Sequence, residues 1–227
     1  MKTDWRIEGP QIAVLLAMFV LAIGSWTTAP EQIPVHWNAA GEVDRYGGKF
    51  EGLLAMPLIA TGMYLLLRFV PRIDPGRANY ALFANTYVLI RVGVLIVIAL
   101  LYGVLHLSIR GREVNMNTVV PMLIGGLFIL IGASMGKIRP NWFIGIRTPW
   151  TLSSKTAWVR THRLGGWLFI LLGLVLMVLM PLAEPRLAFP VVAVAAAAIA
   201  LWSMVYSYIV WRSDPDKVPP AGTTPAE

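Results

Sequence analysis

Apolar residues come in six long runs, at 11–29, 53–70, 86–106, 118–136, 164–183 and 188–210. Each is close to the ~20 residues an α-helix needs to cross the hydrocarbon core of a bilayer. Lipid offers no partners to backbone N–H and C=O groups, so each run must satisfy its own by becoming helical. A transmembrane β-barrel would instead alternate apolar and polar residues in segments of about ten, and these runs do not alternate. The pattern predicts an all-α integral membrane protein of about six transmembrane helices. The first run exceeds the ~7–15 residues of a secretory signal core. Thr28-Ala29-Pro30 is also a poor cleavage site, so this run reads as a retained helix.

Composition agrees with that picture. Of 227 residues, 57% are hydrophobic and 14% charged, against roughly 25% charged in soluble domains. The net charge is +7. With the N-terminus inside, thirteen Lys and Arg lie on the cytoplasmic side, five lie outside, and Arg91 falls within the third run. This asymmetry predicts an N-in/C-in topology. It also accounts for the positive charge without a direct nucleic-acid partner. There is no cysteine, which excludes disulfides and thiolate metal sites. Three units follow: a two-helix unit at 1–70, a four-helix unit at 71–212, and a cytoplasmic tail at 213–227. The tail is rich in Pro, Gly, Thr and charge and is expected to be disordered.

Two connections are more than turns. The outer loop, 30–52, carries His36, Trp37, Asn38, Gly41, Asp44 and Tyr46. Asn and Gly tolerate left-handed backbone, so a tight, structured turn is expected there. This loop is a candidate recognition surface for an external ligand. The alternatives are a cap that lays Trp37 and Tyr46 on the bilayer, or a metal site using His36, Glu42 and Asp44. One His with two irregularly spaced acids is a poor match to metal-ligand patterns, so no metal is assigned.

The inner loop, 137–163, has six basic residues, no acid and three tryptophans. Pro140 and Pro149 break any continuous helix, and Gly145 allows a bend between them. Ser153 or Ser154 is a candidate N-cap. The short helix it starts would put Trp158, Thr161, His162 and Gly165 on one face. Bases interleaved with aromatics suit the headgroup zone of membrane lipids. The candidate partner- or headgroup-binding set is Arg139, Pro140, Asn141, Trp142, Gly145, Arg147, Thr148, Pro149, Trp150, Trp158, Arg160, His162 and Arg163. The same residues also read as a positive-inside anchor.

Arg91 is an intramembrane candidate site by virtue of its depth. Lying near the cytoplasmic end of its run, it is expected to snorkel to the headgroups. His106, at the outer end of the same run, is expected to satisfy an interface hydrogen bond. Gly132 and Gly136 have GxxxG spacing, with Gly125 and Gly126 before them, and are expected to pack helices internally. Catalysis has no visible machinery: no GxSxG, no HExxH and no phosphate loop. No cofactor is implied.

The stretch from Lys137 to Ser154, with Trp158 and Thr161 to Gly166, resembles the signature of the SdpI family. These are immunity proteins against a sporulation-delaying toxic peptide. Pro34, His36, Trp37, Asn38, Gly41, Asp44 and Tyr46 resemble the domain of unknown function usually found N-terminal to it. Val43 stands where that pattern has proline, and Lys155-Thr156 where the family has acids. The resemblance implies a six-helix receptor and protector. It would neutralise a toxic peptide outside and hold a winged-helix repressor inside. The rival readings are a transporter of a small amphiphile or peptide and an enzyme acting on lipid headgroups through His36 or His162.

Overall fold

The computed structural model describes residues 4–218, the side chains of 185–189 excepted. Asp4 begins the first helix by accepting from the Arg6 amide at 3.0 Å, an N-cap that satisfies one orphan donor. Helix α1 then runs Trp5–Ser25. It starts before the apolar run does, and so carries Glu8 into the bundle. Strands β1 (Ile33–Trp37) and β2 (Val43–Gly47) form an antiparallel hairpin. A π-helical turn, Phe50–Leu54, leads into α2, Ala55–Ile73. A 3₁₀ segment, Arg77–Phe83, leads into α3, Ala84–Ile109. Helix α4 is Met116–Met135. The short α5 is Pro149–Ser153. Helix α6, Lys155–Leu174, continues through further helical turns to Leu182. Helix α7 is Pro185–Arg212.

Among the described residues, six helical segments are long and apolar enough to cross a membrane. Val20, Ile23, Leu66, Leu171 and Leu201 point outward and stay exposed. In water such a surface would aggregate; in a bilayer it is the lipid face. The chain is a multi-pass cell-membrane protein.

Two buried clusters hold the bundle together. One joins α1, the hairpin, α2 and α3 through Leu15, Met18, Ile33, Leu53 and Tyr102. The other joins α2, α3 and the 137–163 connection through Val70, Tyr80, Tyr87, Ile138 and Trp158. Tyr102 donates to the Leu53 carbonyl at 2.8 Å, so even the apolar cluster has its polar atoms paired.

Helices α4 and α6 meet backbone to backbone. A Cβ on Gly125 would lie 2.6 Å from the Gly173 carbonyl oxygen, and one on Gly132 would lie 2.6 Å from that of Gly166. Internal packing is therefore the role of these glycines, but not with the expected spacing. Gly126 and Gly136 face open space. The contact repeats every seven residues, because a helix returns to nearly the same face after two turns.

The tail expectation is corrected in part. Residues 213–218 dock against the bundle: the Val218 amide donates to the Ser153 carbonyl at 2.9 Å. Residues 219–227 lie outside the described residues. So do two basic residues of the topology count, Lys2 and the Arg186 side chain.

Candidate functional site

The connection between α4 and α6 is a folded plug. Asn141 is 2% exposed and organises its first half. Its Oδ1 accepts from the Phe143 and Ile144 amides at 3.0 and 2.6 Å, while its Nδ2 donates to the carbonyls of Arg139 and Ile144. An Asx side chain that mimics backbone in this way fixes the turn. Asp74, at the end of α2, clamps the plug from the side. It accepts from the Gly76 amide at 2.6 Å, the Tyr80 hydroxyl at 2.8 Å and the Trp142 amide at 3.1 Å. Asn79 donates to the Pro140 carbonyl at 2.7 Å.

Gly145 turns the chain with φ +109°, and a Cβ there would sit 2.2 Å from His162 Nε2. That close approach lets the Ile146 amide donate to His162 Nε2 at 3.0 Å. His162 Nδ1 lies 2.8 Å from the Trp158 carbonyl oxygen. A carbonyl can only accept and an amide can only donate, so the hydrogen sits on Nδ1 and the ring is neutral. Both nitrogens are consumed, and the ring stacks on Trp158 with centroids 4.0 Å apart. Trp158 in turn donates to the Ile138 carbonyl at 3.0 Å.

Thr148 caps α5 in a reciprocal capping box with Thr151, and Pro149 occupies the first helical position, where its missing N–H costs nothing. The Thr148 hydroxyl also meets that of Ser207 on α7 at 2.9 Å. Trp150 packs edge-on against Tyr208 at 5.3 Å. Ser154 caps α6 through the Ala157 amide at 2.9 Å. The expected short helix is thus the start of the fifth span itself, with Trp158, Thr161, His162 and Gly165 all on its buried face.

The candidate set splits accordingly. Asn141, Trp158 and His162 are interior, and Pro140, Thr148 and Trp150 are half-buried. Arg139, Trp142, Gly145, Arg147, Pro149, Arg160 and Arg163 are exposed. Arg147 donates to the Trp142 carbonyl at 2.7 Å, so it braces the plug as well as charging it. Beside the plug opens a cleft of about 1110 Å³, lined among others by Leu82, Arg139, Trp142, Leu152, Lys155 and Asp216.

On the opposite end of the bundle, Asn38 Oδ1 accepts from the Ala40 and Glu42 amides, and Gly41 adopts φ +80°. Asn117 of α4 donates to the Ala40 carbonyl at 2.9 Å and ties the hairpin tip down. His36 pairs with Asp44 at 2.6 Å. Glu42 instead meets Asn38 at 3.2 Å, so the three residues weighed as metal ligands do not converge. Tyr46 is exposed, while Trp37 is half-buried against the core. Between the hairpin and the membrane helices lies a mainly apolar groove of about 330 Å³, lined by Trp37, Asn38, Met116, Val120, Leu176 and Met180 among others.

Arg91 does not snorkel. It is 4% exposed and binds Glu8 of α1 through both terminal nitrogens, at 3.1 and 2.9 Å. Tyr64 donates to Glu8 at 2.7 Å, and Arg68 Nε lies 3.2 Å from it. A bidentate carboxylate at hand satisfies the guanidinium better than a reach to the headgroups. Glu8, Asp74 and Asp214 are functional-site neighbours that pattern reading passed over. The signal for Glu8 was Arg91 itself, since a cation inside a span needs a partner. His106 is buried, and its Nδ1 lies 3.2 Å from the Tyr102 carbonyl oxygen one turn earlier.

Residues 137–207 match the model of the SdpI/YfhL protein family. Residues 13–61 match that of a domain of unknown function (DUF1648). The chain is similar to the Immunity protein SdpI of Bacillus subtilis, at 27% identity over 176 residues, which covers 74% of this chain and 78% of the relative. No solved structure matches the chain.

Proposed function

We propose that this chain, which belongs to the SdpI family, is a membrane immunity protein that protects its cell against a membrane-active toxic peptide. One observation carries this reading. The two family matches each enclose one of the decorated connections, the hairpin within 13–61 and the plug within 137–207. Similarity that rested on apolar helices alone would carry no such weight.

In this reading the protein is N-in/C-in. The hairpin and its groove take the peptide from outside, by burying an apolar face against Trp37, Met116 and Met180. The basic plug faces the cytoplasm and contacts lipid headgroups. It also recruits a winged-helix repressor when the peptide is bound. A transporter reading has one observation in its favour, the buried Glu8–Arg91 pair, because ionisable groups within spans often mark substrate paths.

The test is survival. Cells lacking the gene are challenged with a panel of membrane-active peptides, with and without the intact chain restored. Restoration rescues growth against at least one peptide, and a Trp37→Ala chain inserts normally but protects poorly. Equal killing with and without the gene across the panel sinks the immunity reading. Uptake of labelled substrate by proteoliposomes would favour transport. Labelling of the 137–163 connection from the outside would invert the topology.

A further inference from the structure

Beyond α7 the chain does not run away from the bundle. Asp214 accepts a short hydrogen bond from the Ser154 hydroxyl at the start of α6, where the helix dipole also favours an anion. The Asp216 amide closes back on Asp214 Oδ1 at 3.1 Å, and Lys217 lies 5.0 Å over the Trp211 ring. The Val218 amide then donates to the Ser153 carbonyl at 2.9 Å. Asp216 and Val218 form one wall of the large cleft whose other walls include Leu82, Arg139, Trp142 and Lys155. The 137–163 stretch has no acid of its own, and Asp74 is buried and fully engaged. The carboxylate lining the cleft beside Arg139 and Lys155 therefore comes from this tail.

We propose that this cleft is a docking site for an acidic, apolar-tipped peptide segment of a partner, and that residues 214–218 are the resident competitor for it. The sequence Asp214-Pro215-Asp216-Lys217-Val218 shows the chemistry that fits. One carboxylate sits at the α6 N-terminus, a second lines the same cleft as Arg139 and Lys155, a backbone amide reaches the Ser153 carbonyl, and an apolar side chain lies exposed at the cleft wall. The proposal builds on the reading that the plug recruits a partner and adds that access to it is gated in cis.

The experiment uses the full chain in detergent and a fluorescein-labelled synthetic peptide spanning residues 211–218, followed by fluorescence anisotropy. The peptide assay needs neither a repressor nor a toxin, so its failure leaves the immunity reading standing, and the reverse also holds. Wild type binds the peptide weakly. Asp214→Ala, and independently Val218→Pro, which deletes the donating amide, each free the tail. Binding in trans then rises about tenfold or more, because a tethered competitor acts at ~mM effective concentration. Adding Arg139→Glu and Lys155→Glu abolishes the gain. Val218→Pro touches no cleft wall outside the tail, so it decides the matter if Asp214→Ala folds poorly. Equal binding by wild type and both released variants overturns the proposal. A gain that survives the charge reversals, or that a scrambled peptide reproduces, overturns it as well.

Discussion

Glu8 and Arg91, 83 residues apart in sequence, hold each other through two hydrogen bonds inside the membrane-spanning part of the bundle. The pair sets how α1 lies against α3, and Tyr64 and Arg68 of α2 join it from the third side. Glu8→Gln strands the buried Arg91 and is expected to cost about 3–5 kcal/mol, whereas Arg91→Gln leaves Glu8 with Tyr64 and Arg68 and is expected to cost less. The double variant is expected to cost less than the sum of the two. Thermal unfolding in detergent measures both, and strict additivity would show that the pair is not coupled.

Gly145 can be tested by a single methyl group. Alanine there must hold φ +109° and meet His162 Nε2. The backbone strain alone is about 1–3 kcal/mol, and the lost Ile146–His162 bond adds to it. Gly145→Ala is expected to loosen the Trp158–His162 stack, read as a red shift in tryptophan emission. Unchanged emission and melting would mean the plug yields easily.

The glycine seam makes a contrast of neighbours. Gly132→Leu drives a side chain into the Gly166 carbonyl and Ile170, whereas a Cβ at Gly126 or Gly136 has nothing within 4 Å. Gly132→Leu is expected to lower the melting temperature sharply, and Gly126→Leu and Gly136→Leu to leave it near wild type. Three equal melting temperatures would remove the seam from the account.

Acid should release the tail. The Ser154 hydroxyl donating to Asp214 holds its carboxyl below the usual carboxylate range. A carboxyl lowered on docking adds stability that is present above the free-chain value near ~4, and that is lost as pH falls through the docked value. The Val218 amide resonance is expected to move to its free position on acidification below that range. Asp214→Asn removes that pH dependence.

The six spans were legible because apolar length and backbone satisfaction leave lipid-embedded residues no alternative to helix. The hairpin turn was legible for a related reason: Asn38 and Gly41 are the residue types that positive φ and side-chain mimicry of backbone demand. The plug was legible as a place but not as a structure. Its bases and tryptophans read as a surface, yet Asn141, Trp158 and His162 face inward. Helical spacing put Trp158 and His162 on one face without saying that the face is buried, no period marks Asn141 in its irregular segment, and their partners, Asp74 and the backbone of residues 138–146, come from distant or unpatterned chain. Arg91 was misread for the same reason. Its partner precedes the first apolar run, and only the capped start at Asp4 carries helix α1 back far enough to include Glu8.

The α4–α6 seam restricts how news could pass from the hairpin to the plug. Where carbonyl oxygens rest directly on glycine backbone, no flexible side chain stands between to absorb a slide. A shift by one residue would set Ala133 in place of Gly132, where a Cβ meets the Gly166 carbonyl, so sliding is opposed at that notch. On the proposed function, α4 and α6 would move together, and a peptide seated beneath the hairpin tip held by Asn117 would tilt the plug at the far end.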